Sequence, residues 1–240
     1  MIAKKETGAG SMDRYGFLYK KEYHTIKAAR TDKVPGCFYY EWVADQNAIY
    51  IPDGRIHYVW RQEHLEEYRY EVQAVLWKRN NERLLGIGID PVYMCDQGLQ
   101  EIEDFFYCME KLDSFEERRT YYERNGMKVL YPKKVHPLVE QVIVQIQKTA
   151  GKESVEQMAC GIQYTPRQIE HVFRQQFGYG PKRYGQLLRL QEAVTAMREN
   201  ETVTLAQISY DSGYADPSHM LREFKRFIGM TPKTFRETYI

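Results

Sequence analysis

Residues 204–236 read TLAQISYDSGYADPSHMLREFKRFIGMTPKTFR and have the pattern of two helices joined by a tight turn. Gly213 stands where the chain must turn sharply between them. Asp216 is placed to cap the second helix, with Pro217 at its first position, where a missing N–H costs nothing. Gly229 is a typical helix end. The segment therefore predicts a helix-turn-helix unit.

The second helix of this unit has one apolar and one polar face. Met220, Phe224 and Phe227 recur at helical spacing, which predicts that they are buried. The positions off that face are basic or hydrogen-bonding: Ser218, His219, Arg222, Lys225 and Arg226. Such a face on the second helix of a helix-turn-helix suits the major groove of DNA.

The same pattern occurs 51 residues earlier in the chain. At that offset two prolines, a phenylalanine and a glycine recur: Pro166 corresponds to Pro217, Phe173 to Phe224, Gly178 to Gly229 and Pro181 to Pro232. Matches of such special residues at one offset indicate an internal repeat, so two units stand in tandem. Pro181 begins a long helix between them, of about 18 residues and about 27 Å. That helix can hold two recognition helices about one DNA turn, ~34 Å, apart.

The composition is ordinary for a globular chain, with 43% hydrophobic and 28% charged residues. From residue 132 onward there are 15 Lys and Arg against 11 Asp and Glu, whereas the remainder has 19 against 22. A basic C-terminal part fits a nucleic-acid-binding domain joined to another domain. No apolar run reaches the ~18 residues of a transmembrane helix, and a signal-peptide core is absent. The four cysteines form no C-x-x-C pair, so we expect reduced thiols in a cytoplasmic protein.

Between residues 15 and 99 the sequence favours β-strands. Short segments rich in aromatic and β-branched residues occupy 37–44, 48–52, 56–61 and 70–78. Pro52, Asp53 and Gly54 form a tight-turn signal, and Asn80-Asn81 is a second one. We predict a small antiparallel barrel or sandwich, preceded by a flexible tail over residues 1–14.

Residues 100–124 change to a helical period, with an apolar stripe that includes Ile102, Phe106 and Met109. Ser114 is placed to cap a second helix, with a glutamate three residues later as in a capping box. This helical pair either covers the β domain or forms a dimerisation surface. We expect it to end at Asn125-Gly126, and the β-rich domain of residues 15–131 to join a helical domain of residues 132–240.

Residues 132–240 resemble the AraC/XylS-type DNA-binding domain. The second unit carries most of the similarity, in the motifs Ser212-Gly213-Tyr214, Ser218-His219, Phe224-Lys225-Arg226-Phe227 and Gly229-Met230-Thr231-Pro232. The first unit matches more loosely, through Ala159, Pro166, Ile169, Phe173, Phe177 and Gly178. Three positions depart from the family pattern: Ser209 replaces a small apolar residue, Met220 an aromatic one and Gln163 the turn glycine.

The resemblance implies an all-α domain of seven helices, with two helix-turn-helix units joined by one long helix, so the whole chain would be α+β. It implies a transcription regulator that binds double-stranded DNA at tandem or asymmetric half-sites, with RNA polymerase as a partner. The segment Ile51-Pro52-Asp53-Gly54 resembles β-rich sensor domains of some regulators in this family. A small-molecule effector is therefore favoured. Activation or repression, and a monomer or a homodimer, stay open.

The positions that contact DNA in the family fall here on Ser218, His219 and Arg222. Arg222 could donate two hydrogen bonds to guanine, whereas Lys225 and Arg226 are more typical of phosphate contacts. The outward positions of the first recognition helix are Arg167, Gln168, Glu170, His171 and Arg174. Any of these could instead be an ordinary exposed helix residue. Phosphates could also meet Ser154, Thr165 and Thr204, although plain helix capping explains these three as well.

Aromatic side chains are dense in the N-terminal region. They could line an effector pocket, formed by Tyr40, Trp42, Tyr58, Trp60 and Trp77, or simply build a core. We expect no cofactor or metal, because the N-terminal histidines lack ligand spacing, and we identify no catalytic nucleophile–base pair. The alternatives to a small-molecule sensor are a protein-interaction or dimerisation module and a thiol-based redox sensor.

Overall fold

The computed structural model describes residues 18–19, 27–43, 48–69, 74–77, 83–95, 97–200 and 202–240. The expected flexible tail over residues 1–14 and the turn at Asn80-Asn81 lie outside these residues. Within the described part, no helix combines the length and the apolar character needed to cross a lipid bilayer.

The N-terminal region consists of antiparallel sheets, as predicted. A five-stranded sheet has the order β2-β3-β8-β5-β6, and a smaller sheet has the order β1-β4-β7. The strands are β1 (Leu18–Tyr19), β2 (Lys27–Arg30), β3 (Cys37–Val43), β4 (Ala48–Tyr50), β5 (Ile56–Arg61), β6 (His64–Arg69), β7 (Val75–Trp77) and β8 (Arg83–Ile89). Of the strand predicted over residues 70–78, the structure describes residues 74–77, and β7 lies among these. The rest of that prediction lies outside the described residues.

The two faces of the five-stranded sheet bury different side chains, because neighbouring residues of a strand point to opposite faces. One face carries Tyr39 and packs beneath two helices. The other carries Phe38 and Tyr40, whose rings lie against Gly88 and Gly86 of the neighbouring strand. A Cβ atom at Gly86 would lie 2.1 Å from the Tyr40 ring, so only glycine fits there.

The two helices over the sheet are α1 (Leu99–Glu110) and α2 (Phe115–Leu130). Ser114 and Glu117 form the predicted capping box at the start of α2. The predicted end at Asn125-Gly126 is wrong, since α2 continues to Leu130 and Gly126 is buried within it. Apolar residues of both helices share the core of the sheet, so the helical pair covers the β region.

The described residues of the C-terminal region form the expected seven helices. They are α3 (Pro137–Lys148), α4 (Val155–Ile162), α5 (Pro166–Phe177), α6 (Pro181–Glu199), α7 (Leu205–Asp211), α8 (Pro217–Ile228) and α9 (Pro232–Tyr239). Before them, the short strand β10 (Lys133–Lys134) pairs with β9 (Tyr93–Met94) of the N-terminal region. The chain is therefore α+β, and the division at residue 132 stays a prediction.

Helix α6 is buried over most of its length, and its buried residues are distributed around nearly its whole circumference. Tyr184 and Leu188 join the core of α3, α4 and α5, whereas Leu187 and Leu190 join that of α7, α8 and α9. Both helix-turn-helix units are therefore packed on one helix.

The segment between β4 and β5 connects the two sheets and also contacts α6. Gln191 of α6 donates hydrogen bonds to the carbonyl oxygens of Ile51 and Pro52, at 3.1 and 2.9 Å. Gly54 has a positive φ of 80°, and a Cβ atom there would lie 2.3 Å from the ring of Tyr184. The predicted turn is thus a crossover between sheets that docks on the long helix. We name residues 51–55 the docking segment.

A buried charged network fixes the docking segment from within the sheet. Arg55 donates to Asp53 at 2.7 Å and to Asp90 at 3.0 Å. His57 Nε2 lies 3.2 Å from Asp53 Oδ1, and Arg30 pairs with Asp90 at 2.9 Å. Burial alone would raise the pKa of Asp53, but the charges of His57 and Arg55 outweigh it and hold that pKa well below its usual range.

This network predicts a dependence of stability on pH. The folded-state pKa of Asp53 is below the unfolded value of about 3.9, so its contribution is complete above about pH 4 and is lost as the pH falls further. We expect Asp53→Asn to lower the unfolding free energy by about 3 kcal/mol at pH 7, because it leaves Arg55 poorly compensated.

Urea unfolding at pH values from 7 down to the acid range measures this effect. The Asp53→Asn variant should also lose less stability than the wild type between about pH 4 and 2. Asp32→Asn, at an exposed turn, is the matched control. Equal pH profiles for the wild type and Asp53→Asn would contradict the assignment.

Candidate nucleic-acid interface

The second helix-turn-helix unit consists of α7 and α8. Asp216 accepts a hydrogen bond from the backbone N–H of His219 at 2.7 Å and so caps α8, as predicted. Gly229 ends the helix in the left-handed conformation, also as predicted. Met220, Phe224 and Phe227 are buried, which leaves the opposite face of α8 toward solvent.

That outer face presents most of the predicted DNA contacts. Ser218, Arg222, Lys225 and Arg226 are exposed. His219 is half-buried, with its ring edge-on to Tyr214 and its Nε2 atom 3.4 Å from Glu223. All five side chains thus lie on α8, but that of His219 also contacts Tyr214 and Glu223 of the protein.

Glu223 is a site residue that the sequence reasoning missed. Its carboxylate is buried on α8 and accepts from Gln186 of α6 at 2.7 Å, with Arg189 of the same helix at 3.7 Å. Its second oxygen, Oε2, has no hydrogen-bond partner among the described residues. A signal was present, because position 223 lies on the inner side of α8 beside Phe224, where a charged residue needs a partner.

The first unit consists of α4 and α5. Gln163 ends α4 in the left-handed conformation, with a φ of 57°, so the turn is made without the family's glycine. On α5, Arg167, His171 and Arg174 are exposed. Gln168 is engaged in the capping box, where its Oε1 atom accepts from the backbone N–H of Thr165 at 2.9 Å.

The carboxylate of Glu170 lies beside Gly180, at the start of α6. Its Oε2 atom accepts from Arg174 Nε at 3.1 Å, and a Cβ atom at Gly180 would lie 2.4 Å from that same oxygen. This carboxylate is therefore paired within the protein, which disfavours a contact between Glu170 and a cytosine amine.

The three hydroxyl residues suggested as phosphate contacts are all helix caps. Ser154, Thr165 and Thr204 each accept a hydrogen bond from a backbone N–H in the first turn of α4, α5 and α7, respectively. Capping therefore accounts for them locally, and a phosphate contact stays a prediction.

The proposed effector pocket needs a correction. Tyr40 and Trp42 lie on one face of the five-stranded sheet, and Tyr58 and Trp60 lie on the other. The register explains this, because β3 and β5 flank β8 with Tyr39, rather than Tyr40, level with Tyr58. These four side chains are buried in two separate cores and do not line one pocket. The side chain of Trp77 lies outside the described residues.

The contacts of Glu223 predict that it attaches α8 to α6. We expect Glu223→Ala to lower the unfolding free energy by about 1–3 kcal/mol, because it leaves Gln186 and Arg189 without this acceptor. The control Glu237→Ala, on the exposed side of α9, should change it by less than about 0.5 kcal/mol. Chemical unfolding of both variants measures the difference. Equal losses of unfolding free energy would contradict the role of Glu223 in attaching α8 to α6.

Comparison with known proteins identifies the helical region. Residues 158–238 match the family model described as a helix-turn-helix domain. No curated protein matches the chain. Among solved structures, the C-terminal domain of AraT, a response regulator from Geobacillus stearothermophilus, is 19% identical, with 44% of this chain and 88% of that chain covered and a TM-score of 0.42.

Structures of ToxT from Vibrio cholerae extend over both regions. An apo variant is 10% identical, covering 93% of this chain and 96% of that chain, with a TM-score of 0.49. The wild-type protein bound to an unsaturated fatty acid is 11% identical, covering 93% and 94%, with a TM-score of 0.47. On the family match, the C-terminal region of this chain contains a helix-turn-helix domain of the AraC type.

Proposed function

We propose that this protein is a sequence-specific transcription regulator whose two recognition helices, α5 and α8, enter successive major grooves of double-stranded DNA. The observation that carries the proposal is the pair of capped helices with exposed basic faces, both packed on α6. In a helix-turn-helix, the second helix is the one that reads the major groove.

Helix α6 supplies the spacing. Its 19 residues span about 28 Å, which approaches the ~34 Å that separates successive major grooves on one face of DNA. Because its side chains belong to the cores of both units, a change in the spacing would disrupt packing. A fixed distance between the two recognition helices favours one half-site spacing over others.

The exposed residues divide into two roles. Arg222 on α8, with Arg167 and His171 on α5, occupies positions from which base edges can be reached, and the arginines can pair with guanine O6 and N7. Ser218, Lys225 and Arg226 suit phosphate oxygens. His219, held by Glu223, can contact DNA with the part of its ring that stays exposed.

This division predicts the effect of Arg222→Ala. We expect affinity for a duplex enriched from a random library to fall about 10-fold to 100-fold, as for the loss of a bidentate guanine contact. The unfolding free energy should change by less than about 0.5 kcal/mol, because Arg222 is exposed.

Fluorescence anisotropy with the enriched duplex and with a scrambled one measures the specific loss. Arg124→Ala, an exposed arginine of α2, is the matched control and should leave affinity unchanged. A parallel fall in stability and DNA affinity for Arg222→Ala would contradict the role of this residue in reading bases.

We further propose that a small molecule bound to the N-terminal region controls DNA binding through the docking segment. The support is the direct contact of that segment with Gln191 of α6. A second contact joins the backbone N–H of Ala74 to the carbonyl oxygen of Phe227, near the C-terminal end of α8, at 2.7 Å. A change in the N-terminal region can therefore reach the helices of the second unit.

The alternative is an N-terminal interaction or dimerisation module. One observation favours it, the exposure of Leu99, Tyr107 and Met127 on α1 and α2. A redox sensor based on Cys37 is disfavoured, because burial and the charge of Asp90 raise the pKa of this thiol far above its usual value.

Coupling between the regions distinguishes these functions. In a metabolite screen, a compound that raises the melting temperature of the full chain should also change its DNA affinity, about 5-fold to 150-fold. In the variant Gln191→Ala the change should be smaller, while Gln141→Ala, at an exposed position of α3, keeps it. Stabilising compounds that leave DNA affinity untouched would contradict control through α6.

A further inference from the structure

A groove lies between the C-terminal ends of the two recognition helices. It has a volume of about 330 Å³. Its lining comes from α5, the start of α6 and α8, and consists of Glu170, Arg174, Gly180, Lys182, Arg183, Gln186 and Arg226. We call it the interhelix groove. Because both recognition helices border the groove, it is open to a ligand that lies between these two helices.

The interhelix groove is strongly cationic. Four basic side chains line it against one carboxylate, Glu170, and that carboxylate is paired with Arg174 at 3.1 Å. Lys182 and Arg226 are exposed at its rim. Focused positive charge in a concave site raises the local concentration of anions.

Two of the cations are held close together. The guanidinium of Arg183 lies 4.1 Å from the ring centroid of Phe227, so packing fixes it beside α8. Burial and the neighbouring charge of Arg226 both lower the pKa of Arg183. Like charges at close range repel one another, and a bound anion would relieve the repulsion.

We propose that the interhelix groove binds phosphates of the DNA backbone that runs between the two half-sites, through Lys182, Arg183 and Arg226. This inference rests on the proposed function, since it places DNA across both recognition helices. Lys182 and Arg183 are additions to the interface, because they lie on the linking helix rather than on a recognition helix. The contact is independent of base sequence and ties affinity to the half-site spacing.

The test compares the salt dependence of DNA binding in two double variants of the full chain. One is Lys182→Gln with Arg226→Gln, which removes two groove charges while keeping Arg183 on Phe227. The control is Lys128→Gln with Arg83→Gln, two exposed cations of the N-terminal region. The slope of log K against log salt is negative, and it should be shallower by about 1.8 in the groove variant than in the wild type. The control should leave the slope unchanged.

Neutral methylphosphonates in the enriched duplex locate the contact. Placed between the half-sites, they should weaken wild-type binding several-fold and weaken the groove variant, which keeps Arg183, much less. Placed outside the half-sites, they should weaken both proteins equally. The base preference of the groove variant should match that of the wild type.

An unchanged salt slope in the groove variant would overturn the inference. If that variant also loses pyrophosphate binding, measured by calorimetry without DNA, the groove would instead be assigned to a small phosphorylated ligand. If the wild type enriches no motif at all, the proposed function fails; if it enriches one and the groove variant keeps its slope, only the groove fails.

Discussion

Burial of helix α6 on nearly all sides is the constraint on which this structure depends. Leu190 and Val194 pack with the second helix-turn-helix unit, Leu188 packs with the first, and Gln191 binds the N-terminal docking segment. A helix with buried residues on nearly all sides must be enclosed by its neighbours, so each of these neighbours has a fixed place. The same helix thereby sets the distance between the recognition helices and links them to the N-terminal region.

Much of the helical region could be predicted from local rules. The caps at Thr165 and Asp216, the glycine ends at Gly178 and Gly229, and the buried stripe of α8 all follow from residue type and spacing. These features depend on contacts within one or two helical turns. A single sequence therefore contains the information needed to place them, and the internal repeat made the second unit a check on the first.

What the sequence did not reveal depends on contacts between distant segments. Nothing near Glu223 indicates that Gln186, 37 residues earlier, donates a hydrogen bond to its carboxylate. The pairing of Arg55 with Asp90 likewise joins residues that are 35 positions apart in the chain. Composition alone suggests that the aromatic residues of the sheet share one pocket. The register of β3 and β5 decides which face of the sheet each residue occupies.

The central claim is that two rigidly spaced helices read one DNA molecule together. The measurement that tests it most directly is affinity for the enriched duplex as the distance between its half-sites is varied in single base pairs. We predict one maximum where the half-site centres are about 10–10.5 base pairs apart, and a loss of at least about tenfold on insertion of about 5 base pairs, half a turn. Equal affinity at every spacing would contradict the account, because it would mean that α6 does not hold the two units in a fixed register.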